Sequence, residues 1–384
     1  MEARLRRCGT LPRVRILVDY RPALRERTGV GEYVHELVSA YTSLPESQPD
    51  RMVLFTSSWK DRPAASLGDE LRADVVDKRI PVSVLNYAWH RLEAPAIERL
   101  AGDLDVVHSQ HPLLIPATRA AQAITIHDLF FLAEPHRTRA EIRRDYAELA
   151  PQHARRAHAV LTSSRYSAGR IERELGVAAD RIYVCPPGPP RWQKLGRDPH
   201  VPSNGYVLFL GTLEPRKNIG VLLDAYQRLV ESGARPPKLV LAGRATADAE
   251  TWLDRLRRPP LGEVVEHRGY VPADQREMLY AGARLLVMPS LDEGFGLPVL
   301  EAMSAGIPVL ASNRGSLPEV TGDAAPLVEA EDAAALADAI RRMVEDDNYA
   351  REYAAKGLRQ AATFSWARTA RLVRQMYLDA VKRR

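Results

Sequence analysis

Short runs of apolar, β-branched residues recur along this chain, and most are followed by a stretch with helical spacing. In the second half the runs are YVLFLG (206–211), KLVLAG (238–243), EVVEHRG (263–269), RLLVMPS (284–290) and IPVLAS (307–312). Between them, helical periodicity covers 219–232, 247–257, 273–282 and 297–305. Strands apolar on both faces need helices on both faces, so the alternation predicts a parallel, doubly wound sheet. The first half repeats the theme, with strands at 13–19, 51–56, 105–109, 123–128, 159–164 and 181–186. Its helices are expected at 31–43, 137–157 and 165–175. The stretch 333–383 reads as helical, broken at Phe364-Ser365-Trp366.

Between the halves, CPPGPPRWQKLGRDPHVPSNG (185–205) holds six prolines and three glycines. Such a segment continues neither a helix nor a central strand, and it is read as a linker. The expectation is an α/β protein of two facing, Rossmann-like domains, residues 1–190 and 203–365, with the helix 366–384 packing back on the first. Ligands of open parallel sheets bind beyond the carboxyl ends of the strands, which places the site in the cleft between the domains.

Composition narrows the class. A chain of 384 residues exceeds one ordinary core, and 45% hydrophobic with 27% charged residues fits a soluble globular protein. No apolar run reaches about 18 residues, the length of a membrane span. The start, MEARLRRCGTLPRVRILVDY, lacks the apolar middle of a signal peptide. Cys8 and Cys185 are far apart and read as reduced thiols. A cytoplasmic location follows, with peripheral contact at the inner membrane face as its variant. The net charge of +5 suits an anionic small ligand or a membrane surface and is too weak to argue for nucleic acid. The Arg-rich segment 136–156 is the candidate for membrane contact, a solvated helix face being the plainer reading.

Candidate chemistry gathers at the strand ends. In GTLEPRKNI (211–219), Arg216 and Lys217 stand where a helix N-terminus already favours an anion, a cradle for a diphosphate without a metal. A solvated basic turn is the competing reading. TGVGEYV (28–34) brings Gly29 and Gly31 close to the same cleft, or forms a plain tight turn. His127 and Asp128 end the expected strand ITIHD (124–128), whereas His108 and His111 close another strand without a metal-ligand pattern. Finally, LDEGFGLPVLEAMSAGIPVLAS (291–312) places Glu293 in a glycine loop and Glu301 in a helix, seven residues between them. Gly294 and Gly296 free backbone N–H groups for hydroxyls, and a carboxylate accepts the two bonds of a ribose diol. One glutamate thus suits a sugar in the cleft and the other a ribose behind it.

These motifs, in this order, resemble retaining glycosyltransferases of family 4 with the GT-B fold, in their mannosyltransferase-like branch. The Glu293-to-Glu301 spacing is similar to that family's pair of glutamates, and GTLEPRKN, SLPEV, TIHDLF and FSW resemble its other motifs. The resemblance implies a hexosyltransferase of polysaccharide biosynthesis that takes a nucleotide-diphosphate sugar, with GDP-mannose favoured over UDP-glucose or a dTDP-deoxysugar. It implies that His127 lies beside the transferred sugar, that Glu293 contacts that sugar, and that Arg216 and Lys217 neutralise the departing diphosphate. Donor contacts would come from Gly29, Gly31, Gly211, Gly243, Val271, Gly294, Phe295, Gly296 and Leu297, with Glu301 on the ribose. No cofactor and no metal are expected, since Arg216, Lys217 and helix ends would replace the cation. The acceptor would be a sugar, a glycan, a lipid-linked glycan or a natural product. Two departures stand out: Thr212 occupies the place of an arginine that many relatives carry, and PPG (186–188) replaces an Asn-Gly. The alternatives are a nucleotide-sugar 2-epimerase on the same fold and a non-catalytic sugar-nucleotide-binding protein.

Overall fold

The computed structural model describes residues 13–24, 29–133, 140–192, 195–196 and 198–384, without the side chains of 140–144. The strands are β1 (Arg15–Asp19), β2 (Arg51–Ser57), β3 (Asp74–Lys78), β4 (Val106–Ser109), β5 (Ala121–Thr125), β6 (Ala159–Thr162) and β7 (Ile182–Val184) in the first half. The second half holds β8 (Tyr206–Leu210), β9 (Leu239–Ala242), β10 (Val265–Gly269), β11 (Ala283–Met288), β12 (Val309–Ser312) and β13 (Leu327–Val328). They form two separate sheets, ordered β3-β2-β1-β4-β5-β6-β7 and β10-β9-β8-β11-β12-β13. The described pairs are parallel in both, as in β1 with β4 and in β8 with β11.

The strand sequences explain the layering. The side chains of β11 (ARLLVM) and β12 (VLAS) are all buried, which requires cover on both faces. In the second sheet that cover includes the helices Ile219–Glu231, Leu297–Ser304 and Ala333–Glu345, whose apolar residues join one cluster with the strands. The helix Trp366–Arg383 belongs to the other half. Its Val373, Met376, Tyr377 and Ala380 pack into a cluster with Ile16, Val18, Tyr33 and Leu37. Tyr377 Oη lies 2.8 Å from His108 Nδ1, and Arg374 Nε donates to Asp50 Oδ2 at 2.9 Å.

Several expected bounds move. The third strand from the start, β3, and the two-residue β13 have no counterpart in the periodicity, because their side chains are half-buried or exposed. The strand expected at 123–128 runs from Ala121 to Thr125, so His127 lies in the coil beyond its end. EVVEHRG opens as a helical turn, Leu261–Val264, before β10 begins. The first helix starts at Gly29 rather than 31, which puts Gly31 in its first turn. The C-terminal stretch has two breaks rather than one, dividing it into Ala333–Glu345, Asp347–Ala361 and Trp366–Arg383. Cys8 and residues 136–139 lie outside the described residues. Among the described residues, no helix is long and apolar enough to cross a membrane.

Candidate active site

Parallel strands point their carboxyl ends one way, and the motif residues collect there. After β8 the chain makes a short turn, Pro215–Lys217, and Asn218 follows in the left-handed region at φ 58°. Asn218 holds that turn by donating from its side-chain amide to the carbonyls of Pro289 (3.0 Å) and Ala330 (2.5 Å). The result aims Lys217 and Arg216 at the loop after β11. Lys217 Nζ reaches Glu293 Oε1 at 2.5 Å, and Arg216 Nη1 reaches Glu293 Oε2 at 3.2 Å. Ser290 Oγ adds a donor to Glu293 Oε1 at 2.7 Å. Arg216 also pairs with Glu214 through Nε at 2.6 Å.

Glu293 and Lys217 are both buried, at 5% and 7% exposure, so their mutual charge is felt in a poorly solvated site. Burial pushes the Glu293 carboxyl up, but Lys217 and Arg216 outweigh it and hold it below the ordinary value. Burial pulls the Lys217 ammonium down, against the pull of Glu293. Glu301 sits in the helix Leu297–Ser304 and differs sharply: burial raises its carboxyl, with Arg276 at 3.5 Å and Tyr280 Oη at 2.7 Å in opposition. The pair of glutamates thus divides into one tied to the cations and one hydrogen-bonded by a tyrosine.

The other sheet supplies the facing wall. His127 lies at the join: its carbonyl accepts from Ser167 Oγ at 3.1 Å, and its ring meets Tyr33 edge-on at 5.0 Å. Its Nε2 is buried without a hydrogen-bond partner among the described residues, and burial pulls the imidazole down to about 4. The Phe130 ring lies 5.4 Å from the Arg216 guanidinium, bringing the two sheets' loops onto one cation. Arg170 crosses the join as well, pairing with Asp292 at 2.9 Å.

The glycines answer differently from the sequence expectation. A side chain at Gly294 would lie 2.2 Å from the His127 carbonyl oxygen, and one at Gly296 would meet Leu317 at 2.8 Å. The carbonyl of Gly294 accepts from Ser164 Oγ at 2.7 Å. Both glycines therefore make room for protein, and Gly294 does so across the join. Gly31 likewise faces the Pro22 carbonyl oxygen at 2.6 Å, whereas Gly29, at φ 36°, has open space. Gly243 packs on Gly211, whose carbonyl oxygen would be 1.8 Å from an added Cβ. Phe295 is buried edge-on against Phe364 at 5.6 Å, and Leu297 and Val271 are half-buried against the core of the second sheet. Ser290, Glu214, Tyr280 and Arg276 were not singled out from the sequence. Ser290 and Glu214 lie three residues or fewer from named positions, but a helix-face pair such as Arg276 and Tyr280 carries no motif. An open groove lined by Arg51, Asp69, Arg72 and Asp74 lies at the opposite, amino-terminal ends of β2 and β3.

Comparison with known proteins finds a match in each half of the chain. Residues 27–189 match the family "Glycosyltransferase Family 4", and residues 193–360 match "Glycosyl transferases group 1". The O-antigen chain mannosyltransferase B of Escherichia coli is 39% identical over 220 residues, 55% of this chain and 58% of that protein. The chain thus spans little more than half the length of that relative. Among solved structures, the sucrose-phosphate synthase of Thermosynechococcus elongatus superposes with a TM-score of 0.73 at 21% identity, covering 95% of this chain and 98% of the other. Anabaena HepE in complex with UDP and glucose gives 0.66 at 19% identity, over 94% and 98%. At these identities the structural likeness speaks for the fold, the two-domain GT-B arrangement.

Proposed function

We propose, from the premise that this chain belongs to the family 4 glycosyltransferases of GT-B fold, that it moves a hexose from a nucleotide-diphosphate sugar to a hydroxyl of a glycan with retention of configuration. The observation that carries this reading is the buried Lys217–Glu293–Arg216 arrangement at the strand ends of the second sheet. It supplies two cations where a diphosphate would gain negative charge as the sugar C1–O bond breaks. Fixed charges in a poorly hydrated site stabilise such developing charge without reorganisation. Glu293 turns a carboxylate to the same place and would accept from the hydroxyls of the transferred sugar. The unpartnered Nε2 of His127 would lie beside that sugar from the opposite wall. Glu301, held by Tyr280, would take the ribose. The acceptor oxygen then bonds to C1 on the face the phosphate leaves, and its proton passes to the departing phosphate oxygen. Arg216 and Lys217 do the work of a metal ion, and we propose that the reaction needs none.

Mannose is favoured as the sugar by the name of the E. coli relative, and GDP as its carrier by the motif resemblance. A peripheral contact with an anionic membrane belongs to the same reading. Exposed Trp59, Val84, Tyr87 and Leu92, with Lys60 and Arg79 near them in sequence, support it. The test is release of nucleoside diphosphate from GDP-mannose, UDP-glucose and a dTDP-sugar, with and without manno-oligosaccharides. Acceptor-dependent release from one donor, and an axial product linkage matching the donor, are expected. Epimerised sugar released without acceptor would favour the 2-epimerase instead.

A further inference from the structure

The segment SLPEV (316–320) takes no part in the cation site, and its carboxylate points elsewhere. Glu319 lies in the short helix Leu317–Thr321 of the second half and reaches across the join to the start of the helix Arg165–Leu175 in the first. Its Oε1 accepts from the Arg165 N–H at 3.0 Å and its Oε2 from the Tyr166 N–H at 3.1 Å. The N–H groups of a first helical turn have no partner inside the helix, and an anion is favoured beside them. This helix brings no acidic residue of its own to that turn. Its N-cap, Ser164, takes the Ser167 N–H at 3.1 Å. The two amides between are matched from the other half of the chain.

The same helix end grips the loop that carries Glu293. Ser164 Oγ, while accepting from Ser167, donates to the Gly294 carbonyl at 2.7 Å, and Ser163 and Ser167 place their hydroxyls 3.3 Å from the same oxygen. Arg170, further along, pairs with Asp292 at 2.9 Å. Glu319 is tied to that loop from its own side as well. The Ser316 N–H donates to the Glu293 carbonyl at 3.1 Å, and a side chain at Gly315 would lie 2.6 Å from the Glu293 nitrogen. The segment 315–319 thus fastens to Glu293 at one end and to the first half at the other.

We infer that Glu319 is a positioning residue: by capping a helix of the opposite half, it holds the Glu293–Gly294 peptide in place against His127. The inference rests on the glycosyltransferase reading for its effect on rate, while its effect on the loop stands without it. The join leaves no slack, since a Cβ on Gly294 would lie 2.2 Å from the His127 carbonyl oxygen. A reacting arrangement shared between the halves is spoiled by a shift of about 1 Å. Glu319 itself is exposed, so truncating it opens no cavity in the core. Among the described residues, Lys217 and Arg216 pair with Glu293 and Glu214, so the diphosphate cradle keeps its partners. Loss of the cap is therefore felt in the alignment of Glu293 with His127 rather than in nucleotide binding.

Amide hydrogen exchange and transfer kinetics of the full chain, as parent, Glu319→Ala and Glu319→Gln, test this. The variants should exchange about fivefold faster or more at 165–167 and also, in the other half, at 291–296. With GDP-mannose and manno-oligosaccharides, turnover should fall about tenfold, the scale of one lost charge-assisted hydrogen bond, while GDP affinity stays within about threefold of the parent. Glutamine keeps one acceptor but turns an amide NH2 toward the second N–H, so it should behave like alanine. Melting curves identify a variant that fails to fold, and the isosteric Glu319→Gln then decides alone. Unmoved exchange at 291–296, or unchanged turnover, makes Glu319 a local cap and overturns the inference. A loss of GDP affinity as large as the loss of rate overturns it too. A parent that transfers no sugar counts against the glycosyltransferase reading, and exchange at 291–296 still decides this one.

Discussion

Glu293 is held by two cations and a serine at once, and that changes what its substitution should do. From motif position alone, Glu293→Gln is expected to leave diphosphate affinity nearly intact and to damage turnover. The structure adds that its charge already neutralises Lys217 and Arg216. Removing it leaves two buried cations partly uncompensated, so the unliganded protein should lose about 3 kcal/mol of stability. A diphosphate would then meet less competition, so GDP should bind more tightly to Glu293→Gln than to the parent while transfer slows. Melting curves with and without GDP check this, and weaker GDP binding by the variant would contradict it. Histidines give the pH dependence. Burial pulls His127 and His90 to about 4 and His108 and His111 to about 3. The unfolded chain takes up their protons near pH 6.5 while the folded chain does not, so stability is full above about pH 6.5 and falls as the pH drops toward 4. Tm should accordingly decrease from pH 7 to pH 5, and a flat profile would mean that these rings are not buried neutral.

At the scale of elements, the parallel core was legible because its strands are apolar on both faces and its helices amphipathic. β3 escaped because DVVDK is half-buried, and β13 because two residues make no period. The site was legible in part for the same kind of reason. Glu293, Glu301, Arg216 and Lys217 stand at fixed offsets from strand ends, whereas the partners of Glu301, Arg276 and Tyr280, are brought in by a helix whose sequence marks no site. The role of the glycines was the least readable, since whether a missing side chain admits ligand or protein depends on what packs there. Gly188 shows this within the linker: an added Cβ would lie 2.4 Å from the Trp366 backbone nitrogen, where the last helix begins. Gly188→Ala should therefore cost about 1–3 kcal/mol through overpacking at that joint. Thermal unfolding reads the loss, and a variant as stable as the parent would show that the linker shifts freely.

For the molecule as a whole, two sheets face one another through a join made of His127, Gly294, Ser164 and the Arg170–Asp292 pair. The first half also leaves Trp59, Tyr87 and Leu92 at 73%, 57% and 63% exposure. Aromatic and aliphatic side chains near lysine and arginine suit a lipid interface. Tyr87→Ser with Leu92→Ser should reduce co-sedimentation with anionic vesicles and leave neutral vesicles unaffected, and unchanged sedimentation would remove that surface from consideration. The account turns most on the diphosphate cradle. Calorimetric titration of GDP into the parent chain and into Lys217→Ala, both in a chelating buffer, tests it directly. The parent should bind without metal, and Lys217→Ala should lose about 1.5–3 kcal/mol of binding energy, the worth of a charge-assisted hydrogen bond. Equal affinity in the two proteins, or binding by the parent only after magnesium is added, would contradict it.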